Sequence, residues 1–385
     1  MPTRKRAFTI VELLIVVAII ALLIAILLPA ITKARDTALT TQSQGNMKNL
    51  GSANASYGAD WTDRQWTAIP DDFGMAPGAN PVAKCTYYVN QIACPPQQIL
   101  GWDEGGGLWG YWIGQGLCIG TIPLGCQYNA TVLYPVEYVG PNMHFGAFRM
   151  PNVKSFNDYV NGRFYDKIFY APKDRLIIER ATPGLQHPGE FSILPGLPLG
   201  ITYSTYCWSP SAMFAPDVHA HETGYQNPDA PNMPGAFRSP TCGQAAFPDL
   251  KTRMIEHTWL QNKDGGDRNG GWLPQPWWWN DPQNTADAPP WLFNQGTNSA
   301  PVTLFFDGHI SLLPCTKAIA SDERVKAQQA GMPFVEKGLW VRNTPMGVKG
   351  YFGTQAFDQE IFDRPTSFHM LTTDGILGRD LTGDR

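Results

Sequence analysis

The stretch FTIVELLIVVAIIALLIAILLPAI, residues 8–31, decides how the rest of the chain is read. The 21 residues from Phe8 to Leu28 hold one charge, that of Glu12. As a helix rising about 1.5 Å per residue they reach roughly 30 Å, the thickness of a bilayer's hydrocarbon core. Arg4, Lys5 and Arg6 stand just before the run. The positive-inside rule then leaves the N-terminus cytoplasmic and sends everything after about residue 30 across the membrane.

Three kinds of segment have this general form. A cleaved secretory signal carries only about 7–15 apolar residues and ends at a small-x-small site. A plain signal anchor fits the length and flanking charges but gives Glu12 no purpose. A carboxylate inside a bilayer costs about 3 kcal/mol even on lenient scales, and such charges usually have a partner and a role. The third kind is the type IV prepilin. Its signature is a small residue, then F-T-[LI]-[VIL]-E, then about twenty apolar residues. Ala7 followed by Phe8-Thr9-Ile10-Val11-Glu12 resembles it closely, and Pro29 stands where many pilins bend their helix. The resemblance covers about the first 55 residues. It departs from the family in Ala7, where glycine is usual, so cleavage is expected to be slower.

That resemblance implies a set of roles. A prepilin peptidase would cut between Ala7 and Phe8 and N-methylate Phe8. Glu12 of one subunit would face the Phe8 amine of a neighbour in a filament, with Thr9 and Pro29 as further assembly residues. A buried carboxylate beside an ammonium costs far less than either charge alone. Glu12, unpaired in the bilayer, would set the register at which a subunit docks. The implied partners are the peptidase, other pilin or pseudopilin subunits, an inner-membrane assembly platform and the lipid bilayer. The implied location is single-pass in the inner membrane, with the body outside it in the periplasm or on a surface filament.

Four regions follow. Residues 1–7 are a basic leader, 8–29 a transmembrane and filament-core helix, 30–60 its amphipathic continuation, and 61–385 the body. In the continuation Ile31, Ala34, Ala38, Met47, Leu50 and Ala53 fall near one face. Pro29 removes a hydrogen bond and predicts a bend or local melt, and the helix is expected to fade between Tyr57 and Asp63. The chain is rich in Gly (38) and Pro (33), most of them in the body, and only 16% of it is charged. That favours α+β: a pilin-like stalk packed on a loop-rich, mainly antiparallel β body. Strands are expected at 131–139, 175–180, 201–208, 302–306 and 310–313, and a helix at 316–329 closed by Gly331 and Pro333. Asp307-Gly308 reads as a two-residue type I′ hairpin turn. The segment VTLFFDGHISLL, 302–313, also resembles a hairpin near the C-terminus of large pilin-like proteins. Those often carry a His ten residues before the Asp, where this chain has Thr297.

The net charge of −4 is mild, and three positive charges fall in the first six residues, so the remainder is more acidic. Nothing in that balance calls for nucleic acid. None of the seven cysteines forms a CxxC pair. In an exported chain Cys85 with Cys94, and Cys118 with Cys126, are near enough to close short disulfide loops. Asp217, His219, His221 and Glu222 form the best metal candidate, because His219 and His221 share one face of a strand. Asp264, Asp267 and Asn269 cluster oxygen ligands in a glycine-rich run and are a second candidate, for calcium, although that ion wants six to eight oxygens and the EF-hand spacing is not met. No cofactor is otherwise indicated. Trp277, Trp278 and Trp279 sit between prolines and, if exposed, offer a platform for sugars or a partner. No nucleophile elbow, P-loop, HExxH or dinucleotide fingerprint occurs, so no enzyme is expected. The reading is a pilin or pseudopilin subunit of a type IV pilus or type II secretion pseudopilus. The competing reading is a surface binding protein that uses the prepilin helix only for delivery.

Overall fold

A computed structural model describes residues 9–67, 77–78, 87, 99–102, 108–110, 135–136, 147–163, 165–186, 204–228, 230–256, 300–341 and 369–383. It has a long helix, α1 (Ile10–Asp60), and a four-stranded antiparallel sheet. The sheet order is β3 (Tyr206–Trp208), β4 (Thr252–Glu256), β5 (Val302–Phe305) and β6 (Ile310–Leu312). A separate hairpin pairs β1 (Ile99–Trp102) with β2 (Leu108–Gly110). The helices after α1 include, among the described residues, α2 (Lys154–Asn157), α3 (Arg175–Gln186) and α4 (Cys315–Gln328). The architecture is α+β, as expected.

The two ends of α1 live in different surroundings. From Ile10 to Leu28 the helix is apolar all round and its side chains are exposed. A helix with no polar face needs an apolar medium on every side. From Ser43 the pattern changes. Ser43, Met47, Leu50, Asn54 and Tyr57 are buried at steps of three and four, which makes one stripe along the helix. That stripe lies over β5 and β6 and over the 3-10 turn Lys167–Phe169. Gly51 permits the approach: a Cβ there would come within 2.9 Å of Leu304 Cδ2 in β5. The helix ends at Asp60, inside the expected interval, and Thr62 and Asp63 turn the chain with φ of 57° and 63°. Pro29 lies inside an unbroken helix, so the local melt does not occur there.

Behind the sheet, Trp66, Trp208 and Phe156 meet in the core. Trp66 stacks on Trp208 at 6.1 Å, and Phe156 meets Trp208 edge-on at 5.2 Å. These tryptophans are core.

Several sequence expectations change. Residues 175–180 begin a helix, not a strand. Asp174 caps it: its carbonyl accepts from Ile178 N and its carboxylate from Ile177 N. Ile177 and Ala181, four apart, are buried on one face. The 201–208 strand is confined to Tyr206–Trp208 among the described residues, and Pro135 and Val136 lie in a bend. Strand β4 carries Arg253 and Glu256 and was not expected, yet all five of its residues are buried.

The hairpin β5–β6 is present, but its turn differs from type I′. Gly308 N–H donates to the Phe305 carbonyl, and Phe305 N–H donates to that of His309. Gly308 has φ +86°, and Asp307 is not in the left-handed region. This is a three-residue loop, a type I turn followed by a left-handed glycine. Asp307 favours it because its Oδ1 accepts from His309 N at 2.9 Å and contacts His309 Nδ1 at 2.6 Å. The His309 ring in turn stacks on Phe305, 4.2 Å between centroids.

Candidate assembly helix and its seat

The exposed start of α1 is where the sequence placed the assembly chemistry. Thr9 is the N-cap, extended at φ −85° and ψ 151°. Its Oγ1 accepts from Glu12 N at 3.2 Å, and Glu12 Oε2 accepts from Thr9 N and from Thr9 Oγ1, each at 2.8 Å. The pair is a capping box, which satisfies backbone donors that a helix start otherwise leaves orphaned. The sequence reading took Glu12 to be unpaired before assembly. The structure corrects that, since the carboxylate already has partners within its own chain. The signal was present as T-x-x-E ahead of an apolar run. Ala7 and Phe8, at the expected cut, lie outside the described residues.

The other end of the helix is held by polar ties. Ser43 Oγ donates to Glu256 Oε1 at 2.7 Å and lies 2.9 Å from the Tyr206 hydroxyl. Glu256, fully buried, also accepts from Val302 N at 3.1 Å. Burial, and then the Glu256 carboxylate, push the Tyr206 pKa up, so the hydroxyl stays neutral. Asn46 Nδ2 donates to the Tyr170 carbonyl at 3.2 Å. Lys48 Nζ donates to the Gly308 carbonyl at 3.1 Å, which ties the hairpin tip to the stalk. None of these partners was found from sequence, because each lies more than 120 positions from its mate.

The metal candidates fare differently. No strand runs through 217–222: Pro216–His219 is a 3-10 turn. His219 is fully buried against Phe214 and Tyr225. Burial, and then Lys251, push its pKa down to about 3. His221 is half exposed and turns to Asp374, with Nδ1 2.8 and 2.9 Å from the two carboxylate oxygens, while Glu222 Oε1 is 3.9 Å from His221 Nε2. The one-face arrangement assumed for His219 and His221 is therefore not formed. Among the described residues no three His, Cys, Asp or Glu side chains form a group that could hold a metal ion. Asp264, Asp267, Asn269 and Trp277–Trp279 lie outside the described residues. So do Cys85, Cys94, Cys118 and Cys126, and no disulfide joins the three described cysteines, Cys207, Cys242 and Cys315.

Among the described residues one helix is long and apolar enough to cross a membrane. It is Ile10–Asp60, with a mean hydropathy of 3.4 in its most apolar 18-residue stretch and none of that stretch buried. Comparison with known families finds one match over the same stretch. Residues 2–28 match the prokaryotic N-terminal methylation motif. The motif stops one residue before Pro29, so it covers the leader, the capping box and the apolar half of α1, and none of the seat on the body. That match is consistent with a type IV prepilin-like protein, and the apolar helix fits such a protein's membrane anchor. No curated protein and no solved structure matches the chain.

Proposed function

We propose that the chain is a pilin-like subunit, cut by a prepilin peptidase between Ala7 and Phe8, methylated on Phe8, and assembled through α1 into a type IV pilus or type II secretion pseudopilus. The observation that carries this reading is the coincidence of the methylation motif with a helix half that is apolar nearly all round and, among the described residues, packed against nothing in its own chain. Such a surface needs lipid first and other copies of the same helix afterwards. The body would stand outside the inner membrane, and the chemistry of processing belongs to the peptidase, not to this chain.

One observation favours the alternative, a membrane-anchored binding protein. Trp61, at the end of α1 farthest from the membrane, is 54% exposed and braced. It stacks on Tyr57 at 5.7 Å, and its Nε1 donates to Tyr159 Oη at 3.2 Å. A fixed, open indole suits contact with a ligand or partner.

Intact mass and N-terminal sequencing of the protein from its own cells test the first reading. The expected mature chain begins at Phe8 with one added methyl. A chain that still begins at Met1, or is cut beyond residue 30, would overturn it.

A further inference from the structure

Lys251 and Asp380 are fully buried and stand 129 residues apart in sequence. Lys251 immediately precedes β4, and Asp380 lies in the C-terminal segment 369–383. The Lys251 amine is 3.2 Å from each oxygen of the Asp380 carboxyl. Three hydroxyls hold it there: Thr372 at 2.7 Å, Ser211 at 3.1 Å and Ser209 at 3.2 Å. The carboxyl is gripped too. Its Oδ2 accepts from Thr252 N at 2.8 Å, and its Oδ1 accepts from the Thr372 hydroxyl.

Each charge in such a pair loses its hydration, a penalty that mutual attraction offsets only in part. Burial is the largest influence on Lys251 and lowers its pKa, with Asp380 opposing. Two buried imidazoles, His219 and His369, are also pushed well down by burial and then by Lys251, so neither adds a second positive charge. Moving one proton from the amine to the carboxyl gives a neutral amine against a neutral acid. That pair is the reactive combination for amide formation.

We propose that Lys251 and Asp380 condense with each other into an isopeptide bond. The Lys251 Nζ lone pair attacks Asp380 Cγ and forms the N–C bond. The C=O electron pair moves onto Oδ2, where the Thr252 N–H is already in place to receive it. As the tetrahedral centre collapses, the Cγ–Oδ1 bond breaks. Oδ1 leaves as water, carrying the acid's own proton and one from the amine, which Thr372 can relay because its hydroxyl touches both partners. No oxidant or further reactant is needed. The fixed approach supplies the effective concentration, and the dry surroundings hold back hydrolysis. The product would join the start of β4 covalently to the C-terminal segment, which suits a subunit that bears load along a filament. The chemistry does not depend on filament assembly.

The full-length protein, extracted in detergent, is denatured and digested with trypsin. Cutting after Arg238, Arg253 and Arg379 yields 239–253 and 380–385. The expected product is one branched peptide joining these two, uncut after Lys251 and lighter than their sum by one water. Lys251→Met should remove the branch and restore the lost water to the intact mass. Cleavage after Lys251 together with free 380–385 at full mass would overturn the proposal, leaving an ion pair. So would a water loss confined to the peptide holding Asp307-Gly308. Because the unmutated chain alone decides the matter, a poorly folding variant does not blunt the test.

Discussion

If the second half of α1 is the spine of the body, removing it should unfold the body, while removing the first half should not. Met47 and Leu50 are fully buried, Ala53 and Tyr57 nearly so. Burying a Leu or Met side chain stabilises by about 1.5–3 kcal/mol, a Tyr ring by a similar amount, and an Ala methyl by about 0.8. The stripe therefore contributes roughly 5–10 kcal/mol. Loss of Ser43 also strips a donor from the buried Glu256 carboxylate, worth about 1.5–3 kcal/mol for a charge-assisted bond. A typical native state is stable by about 5–15 kcal/mol in all. A chain beginning at Asp36 keeps every one of these contacts, including the 2.7 Å pair of Asp36 with Lys173. One beginning at Thr62 keeps none. Thermal unfolding followed by near-UV circular dichroism should give a cooperative transition for the first and none for the second. Leu50→Ala in the longer chain should cost about 2–5 kcal/mol, a fall in Tm of roughly 3–7 °C for a chain of that length. A Thr62 chain that melts cooperatively within a few degrees of the Asp36 chain would refute the reasoning.

Other predictions rest on single contacts. Thr9→Ala should weaken the start of α1 by about 1 kcal/mol, seen as faster amide exchange at Glu12 and Leu13 in micelles; unchanged exchange would show the cap to be idle. Gly308→Ala should cost about 1–2 kcal/mol, because alanine resists the left-handed backbone at φ +86°, and an unchanged Tm would count against the turn assignment. His219 predicts a pH dependence. Between its ordinary 6.5 and about 3, the unfolded chain binds a proton there that the folded chain refuses. Stability from this group is thus complete above 6.5 and falls as the pH drops, by about 2 kcal/mol from pH 7 to pH 5. Urea midpoints at the two pH values should show that fall, with a smaller one in His219→Gln; equal midpoints in the unmutated protein would contradict it.

What was legible in the sequence was local. The apolar run, the glutamate, the Asp-Gly hairpin and the helix Cys315–Gln328 each carry their signal within a single local stretch of the chain. What was missed depends on distant partners or on mixed patterns. Leu176-Ile177-Ile178 reads equally as a buried strand, and only Asp174 ahead of it argues for a helix. Strand β4 looks too charged to be buried until Glu256 is seen to meet Ser43 of the stalk and Lys251, just before it, to meet Asp380. His219 and His221 share a face only if their backbone is extended, and Pro216 starts a 3-10 turn instead. The seat of α1 was half legible: Met47, Leu50 and Ala53 mark the correct face, but Tyr206, Glu256 and Gly308 give no hint from their own neighbourhoods that a helix lies over them.

The capping box also changes how assembly through Glu12 should be understood. An unpaired carboxylate in lipid would be driven into a filament by escape from its own desolvation. Here the same carboxylate already accepts two hydrogen bonds from Thr9, so much of that penalty is met inside the single subunit. Cleavage after Ala7 would leave those bonds possible, because the Thr9 N–H would be the first amide of the mature chain and is not consumed. A neighbour's amine would then add a charge partner to a carboxylate that is already oriented, instead of rescuing an isolated one. The gain on docking becomes smaller but more directional. Thr9→Ala should therefore affect more than helix fraying: it should lower the fidelity of docking at a given register while leaving cleavage intact. Processing read by mass and filament yield read by shearing would separate the two effects, and a variant that fails at cleavage would place Thr9 in peptidase recognition instead.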